Sequence, residues 1–107
     1  MAFKSWTLAT VTPSTDTDLA QPASLYTVVG FSLTIANYSG SPSTVKVLLT
    51  NSSNTLKAYV LAPISLTDGQ TLTIDSSWVL TSQDKIRVNS SQGNVSFLAN
   101  GDERLWV

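Results

Sequence analysis

The stretch Asp84-Lys85-Ile86-Arg87-Val88-Asn89-Ser90-Ser91 has the alternation of a β-strand. Ile86 and Val88 alternate with charged or amide side chains, which is the period of a strand with one apolar face and one wet face. A turn-rich run follows at 90–93, and alternation resumes over Asn94–Ala99. Serine, glutamine and glycine between two such runs are typical of a tight connection. We therefore expect these two strands to form a hairpin.

The strongest core signal outside this stretch is Leu25–Asn37, where one face is large and apolar and the other is small. The large face is Val29, Phe31, Leu33 and Ile35, and the small face is Gly30, Ser32, Thr34 and Ala36. A uniformly small face allows close packing of a further strand layer or of a neighbouring subunit, and Gly30 indicates a bulge or a close backbone approach. We expect this strand to form a second hairpin with the alternating run at 45–50.

Two further segments have alternating apolar residues. Leu56–Ile64 carries apolar bulk on both faces, so it is either a strand buried on both sides or a strand with one face on a partner. Beyond the Asp68-Gly69 turn, Leu72 and Ile74 indicate a short strand that we expect to close at 75–77.

Strand-like segments thus recur about every 8–12 residues, and no segment of ten residues keeps a helical period. The predicted fold is all-β, a single-domain antiparallel β-sandwich over residues 1–107, jelly-roll-like or Ig-like. A segment with two prolines and no periodicity, at about 12–24, is expected to be an irregular arm or loop.

Composition narrows the possible chemistry. The chain has 107 residues, no cysteine and no histidine, which removes disulfides, thiolate catalysis, a Ser-His-Asp relay and the usual ligands of zinc or copper. Six Lys and Arg balance seven Asp and Glu and are scattered, so no cationic surface for nucleic acid is expected. No secretory signal or apolar run of about 20 residues is visible, so no membrane contact is predicted and synthesis in a cytoplasm is expected.

Acidic residues do not indicate a reaction. Asp68, Asp75 and Asp84 are explained by turns and strand ends rather than by a pair of acids across a cleft. Asp16 and Asp18 form an Asp-x-Asp pair that lacks the other ligands of a calcium loop. We predict no enzyme activity, no catalytic residues, no metal and no cofactor.

Binding is the remaining class of function. The residues that bear on it are serine and threonine, which make up 30 of the 107 residues. A charge-poor, hydroxyl-rich surface suits contact with another protein, but threonine is also an ordinary strand residue and serine an ordinary loop residue. The three tryptophans are either core and lid residues or interface anchors. A glycan-binding module with exposed aromatic residues is a further alternative.

A resemblance to a known family narrows the choice among these binding functions. The motifs that carry it lie between Leu25 and Gly101, and they are Leu25-Tyr26-Thr27-Val28, Leu33-Thr34-Ile35-Ala36-Asn37, Leu66-Thr67-Asp68-Gly69-Gln70-Thr71-Leu72-Thr73-Ile74, Trp78-Val79-Leu80, Asp84 to Ser91, and Val95-Ser96-Phe97-Leu98-Ala99-Asn100-Gly101. In these motifs the chain resembles small accessory virion proteins of tailed bacteriophages. It departs from them at Val28-Val29-Gly30, which lacks their proline, and at Gln83, where many have glycine.

The resemblance implies a non-enzymatic structural protein of a tailed-phage virion, made in the bacterial host cytoplasm. It implies a capsid cement or decoration protein, or else a neck, tail or baseplate accessory protein, with a glycan-binding host-attachment module as the alternative. Its expected partners are further copies of itself, as a homotrimer or another symmetric oligomer, and the major capsid protein or another virion protein. The predicted partner-binding residues are Trp6, Asp16, Asp18, Tyr59, Leu61, Trp78 and Trp106.

Overall fold

Alternating apolar residues place strands along the whole chain, and the computed structural model has eight of them. It describes residues 2–105, with the side chains of residues 2 and 76–78 outside that description. The strands are β1 (Ala2–Leu8), β2 (Thr17–Ala20), β3 (Tyr26–Asn37), β4 (Ser43–Asn51), β5 (Leu56–Leu66), β6 (Thr71–Leu80), β7 (Asp84–Ser90) and β8 (Val95–Leu105). No helix occurs among the described residues.

The strands form two four-stranded sheets. Sheet I has the order β1-β8-β3-β6 and sheet II has the order β2-β7-β4-β5, and the strand pairs of both are antiparallel. Eight antiparallel strands divided between two packed sheets in this order form a jelly roll. The predicted all-β antiparallel sandwich is confirmed.

Both predicted hairpins are wrong. β3 lies in sheet I and β4 in sheet II, and β7 lies in sheet II and β8 in sheet I. Among the described strands, β4 and β5 are the consecutive pair that forms a hairpin. The error has a physical reason: alternation shows that one face of a strand is buried, but the same turn residues serve a hairpin and a crossing between sheets.

The core lies between the sheets and follows the alternation within each strand. Its fully buried side chains include Phe31, Leu33, Ile35, Val45, Val47, Ile86, Val88, Val95 and Phe97. In β3 the alternation is interrupted at Gly30, which has a φ of +65° where the register shifts. The predicted bulge at Gly30 is therefore confirmed. Because of it, Val28 rather than Val29 joins Phe31 in the core, so the predicted face of Val29 is wrong.

The expected irregular arm contains a strand. Thr17–Ala20 pairs with β7 and forms one edge of sheet II, with a register shift between Asp18 and Ala20. The shift places the consecutive residues Leu19 and Ala20 both in the core. A four-residue strand with two adjacent buried residues does not alternate, which is why its sequence shows no strand period. β6 also runs on through 75–77 to Leu80, past the expected end.

One corner of the sandwich is tied by a buried amide. Asn37 is almost fully buried, and its Nδ2 donates to the carbonyl oxygens of Ser41 and Leu66 at 2.9 Å each. Its Oδ1 accepts from the Ser39 backbone at 3.0 Å, and its carbonyl accepts from Gly69 N at 2.8 Å. The motifs around Asn37 and Gly69 thus form one connected corner between the two sheets.

Candidate protein-binding surfaces

The described residues predicted to contact partners divide between the interior and the surface. Trp6 is half-buried beside the core, with its ring 6.3 Å from that of Phe31 and Lys4 Nζ 5.3 Å from the Trp6 ring centre. Its main contacts are therefore internal. The side chain of Trp78 and the whole of Trp106 lie outside the described residues.

Asp16 and Asp18 hold β2 against β7. Asp18 accepts from Lys85 Nζ at 3.1 Å and from Arg87 Nε at 2.8 Å, and Asp16 accepts from Asn89 Nδ2 at 2.8 Å. Partial burial alone would raise the pKa of Asp18, but the hydrogen bonds and charges of Lys85 and Arg87 outweigh it and lower the pKa. These contacts give both carboxylates a role within the chain.

Tyr59 and Leu61 lie on β5, the opposite edge of sheet II. Tyr59 is 49% exposed, whereas Leu61 is partly buried against the core. The strand is exposed along most of its eleven residues, and Leu56 and Ile64 add to its exposed apolar surface. The interpretation of this strand as buried on both sides is wrong, because its side chains are exposed on both faces along most of its length. Contact of this strand with a partner stays a prediction.

Lys57 is the one charged residue of β5 and is bound within the chain. Its Nζ lies 2.6 Å from Asp84 Oδ1, and Asp84 Oδ2 accepts from the Thr81 backbone and hydroxyl at 3.2 Å. Burial alone would raise the pKa of Asp84, but the bonds from Lys57 and Thr81 outweigh it and lower the pKa. The remaining exposed surface of β5 is therefore uncharged.

An apolar pocket of about 240 Å³ opens beside β5, between the two sheets. Its lining comes from β4, β5, β6 and β7 and consists of Leu49, Ala58, Tyr59, Val60, Val79, Leu80 and Ile86. The other side of the sandwich is closed, because β1 and β2 contact each other there. The β5 side is thus open and aliphatic, which suits an apolar side chain from another molecule.

The outer face of sheet I is a second exposed surface. Its residues stand in transverse rows set by the strand register, and the rows are Phe3-Asp102-Val29-Val79, Ser5-Asn100-Ser32-Asp75, Thr7-Leu98-Thr34-Thr73 and Ser96-Ala36-Thr71. The first row is largely apolar, with Phe3 91% and Val79 57% exposed. The other rows are mainly small and hydroxyl-bearing, with Leu98 at their centre.

Charge on this face is sparse. The Asp102 carboxylate lies 3.1 Å from Arg104 through Oδ2, while its buried Oδ1 has no hydrogen-bond partner among the described residues. Asp75 is exposed on the edge strand β6. The predicted small face of β3 thus forms the middle of a wide, nearly uncharged surface.

The acidic residues do not converge on one site. Asp68 accepts from Gly40 N at 3.0 Å at the corner, Asp75 lies on the outer face of sheet I, and Asp84 is bound to Lys57 in sheet II. Among the described residues no group of three potential metal ligands occurs. Those residues also include no helix long and apolar enough to cross a membrane.

Sequence reasoning missed several exposed apolar residues, namely Phe3, Leu56, Ile64 and Val79. The signal for β5 was its apolar bulk on both faces, which does not show whether a strand is central or at an edge. For Phe3 and Val79 no signal existed, because the sequence does not show that β8 and β3 lie between their strands.

Comparison with known proteins gives distant structural matches. No family model and no curated protein matches the chain. The chain is similar to structures of infectious bursal disease virus. The Gx strain structure shares 13% sequence identity over 92% of this chain, with a TM-score of 0.40. The Gt strain structure shares 15% identity over 96% of this chain, with a TM-score of 0.42. A structure of the T13 particle of that virus shares 13% sequence identity over 92% of this chain, with a TM-score of 0.36. The chain spans about a third of each matched chain, 30–32%.

Proposed function

We propose that this chain is a non-enzymatic structural protein of a virion that acts by binding other proteins of the particle. In its specific form the proposal is a capsid cement or decoration protein of a tailed phage, which stabilises the shell after synthesis in the host cytoplasm. The resemblance of the motifs supports the phage assignment, and the jelly roll is an architecture that viral capsid domains use. Many functions share one fold, so the surfaces have to carry the argument.

The observation that carries it is the β5 edge, defined as Leu56–Leu66 and the apolar pocket beside it. An eleven-residue edge strand with exposed Leu56, Tyr59 and Ile64 is unusual for a protein that stays alone, because uncovered apolar edges promote association. The aliphatic pocket provides space for an anchoring side chain. We assign this edge to the major capsid protein or another virion protein.

The geometry of β5 favours side-chain contact over a long backbone ladder. Its register with β4 shifts three times, and Pro63 has no N–H to donate. A partner strand could therefore pair with only part of the edge. Apolar side chains in the pocket and against Tyr59 would supply most of the binding free energy.

The alternative locations at a neck, tail or baseplate use the same edge and differ only in the partner. A glycan-binding role has less support, since sugar recognition needs aromatic rings presented together. Trp6 packs on Phe31, and the Tyr38 hydroxyl donates to the carbonyl of Ala9. Tyr59 lies on the other sheet, so these three rings do not form one platform.

The test uses particles of the virus that carries the gene. Washed wild-type particles are analysed by mass spectrometry, and purified protein is added back to particles made without the gene and measured by co-sedimentation. We expect the protein in wild-type particles and saturable add-back binding that raises the temperature at which particles release their genome. Absence from washed particles together with no add-back binding would refute the proposal.

Variants of the β5 edge make the test specific. Leu56→Glu combined with Tyr59→Glu is expected to weaken add-back binding at least about tenfold, because charges replace buried anchors. The control is Thr12→Glu together with Thr10→Glu, exposed positions outside the β5 edge, which should bind as the wild type does. Equal loss in both variants would point to charge repulsion by the particle rather than to this edge.

A further inference from the structure

The outer face of sheet I, the four rows defined above, has the properties of a sheet that packs on another sheet. Two sheets pack face to face about 10 Å apart, which requires short side chains in the contact. Ser32, Thr34 and Ala36 supply them in the middle of the face, and Leu98 stands among them 40% exposed. The core-facing side of β3 is already covered by sheet II, so the outer face is the side on which a further layer can pack.

We infer that a second copy of this chain packs on the outer face of sheet I and forms a symmetric dimer. The inference deepens the proposed function and rests on it, because it names the surface through which copies associate while the strand β5 stays free for another virion protein. Val79 belongs to both surfaces, since it also lines the pocket beside β5.

The distribution of charge favours a second copy as the occupant. A two-fold axis along the strands, between β8 and β3, places each edge strand over the opposite edge strand of the second copy. Asp75 on β6 then lies over Ser5 of the second copy on β1, so the two Asp75 carboxylates are on opposite sides of the contact. Asp102 is already neutralised by Arg104. A strongly basic or acidic partner would find few opposite charges on this face.

The same axis matches the rows by shape. Phe3 of one copy lies over Val79 of the second, so the most exposed apolar residues of the face cover each other. In the central row Leu98 lies over Thr34 of the second copy. The first row thus gives an apolar contact, and the Leu98 row sets a large side chain against a smaller one, as interdigitating sheets require.

The available area is of the right order for a dimer. Four strands and eight residues along β3 span roughly 19 Å by 26 Å, which is a projected area of about 500 Å². Its corrugated accessible surface is larger, and a standard interface uses about 800 Å² per partner. A dimer with a dissociation constant in the micromolar range is the expected outcome for an interface at the lower end of that size class.

The first experiment measures solution mass by sedimentation equilibrium for the wild type and two matched variants. Thr34→Lys puts a charge at the centre of the face, and Thr44→Lys is its control on an exposed strand position of sheet II. We expect a wild-type dimer, a dissociation constant raised at least about tenfold by Thr34→Lys, and no change for Thr44→Lys. A monomeric wild type at 200 μM, or a dimer that Thr34→Lys leaves intact, would overturn the inference.

A second measurement avoids dependence on the folding of one variant. Because the chain has no cysteine, Thr34→Cys copies can be mixed with Leu98→Cys copies and treated with a short bismaleimide. Efficient cross-linking of the mixture supports the face-to-face arrangement. Cross-linking no better than that of a Thr44→Cys and Leu98→Cys mixture would overturn it.

The two proposals fail separately. Thr34→Lys reports on the dimer and Leu56→Glu/Tyr59→Glu on particle binding. Particle binding that survives with a monomeric wild type refutes only the dimer. A dimer that forms while washed particles lack the protein refutes only the virion function.

Discussion

The two edge strands of sheet II, β2 and β5, differ in how far the rest of the chain covers them. β2 has four residues, buries Leu19 and Ala20 in the core and is held to β7 by Asp16 and Asp18. β5 has eleven residues, exposes most of them and carries one ion pair, Lys57 to Asp84. The short edge is therefore closed by charge and by core contacts, while the long edge stays open and apolar. Length alone does not bury a strand, and an uncovered apolar edge marks the place where another chain can bind.

The largest expected contrast comes from one substitution made at both edges. Leu19→Ala should lower the free energy of unfolding by about 2–4 kcal/mol, because it leaves a cavity in the core. Leu56→Ala should lower it by less than about 1 kcal/mol, because that side chain is half exposed. Urea unfolding with a shared m-value measures both. Similar losses would mean that β5 is as well covered as β2.

Asp84→Asn removes the ion pair that ties β5 to the start of β7, and a loss of about 1–3 kcal/mol is expected from the broken buried contacts. The pH dependence follows from the lowered pKa of Asp84. Its stabilisation is complete above the ordinary value of 3.8 and is lost as pH falls through the folded-state pKa.

Thermal unfolding between pH 7 and pH 2.5 checks this, with Asp68→Asn as the matched control. The wild type should lose more stability on acidification than Asp84→Asn does, while Asp68→Asn should follow the wild type. Parallel pH curves for wild type and Asp84→Asn would contradict the assignment.

The smallest effect is expected from Asp18→Asn at the closed edge. Its carboxylate contacts Lys85 and Arg87, but the side chain is 56% exposed, so solvent screening limits the loss to about 1 kcal/mol or less. The loss should shrink further in 0.5 M salt. A loss as large as that of Leu19→Ala would show that charge, rather than burial, closes this edge.

The sequence was sufficient for most of the strands and their buried faces and for the bulge at Gly30, because these depend on local alternation and on one glycine. It missed β2, whose adjacent buried residues Leu19 and Ala20 do not alternate, and it placed Val29 rather than Val28 in the core. It was insufficient for the neighbours of each strand. β3 and β7 read as halves of hairpins, yet their partners lie far along the chain, β3 between β8 and β6 and β7 between β2 and β4. Long-range pairing depends on the packing of all eight strands together and leaves no mark within any one of them.

The candidate binding surfaces could also be predicted only in part. The small face of β3 and the doubly apolar β5 were both recognisable as unusual strands. Their combination into surfaces was not, because Phe3 and Val79 meet one face only through the register of β1, β8, β3 and β6. Asp16 and Asp18 illustrate the converse, since their role in joining β2 to β7 depends on Lys85, Arg87 and Asn89, which are 67–73 residues away.

The pairing of β1 with β8 also has a consequence for how the protein forms. Ala2 lies opposite Glu103, so the first strand gains its neighbour only after a residue 101 positions further along the chain has been synthesised. Among the strand pairs within residues 2–105, only β4 with β5 joins strands that are consecutive in the chain, so the fold has a high contact order and is expected to form on the millisecond-to-second scale or slower. Until then the exposed strand edges of each nascent chain are available to neighbouring chains.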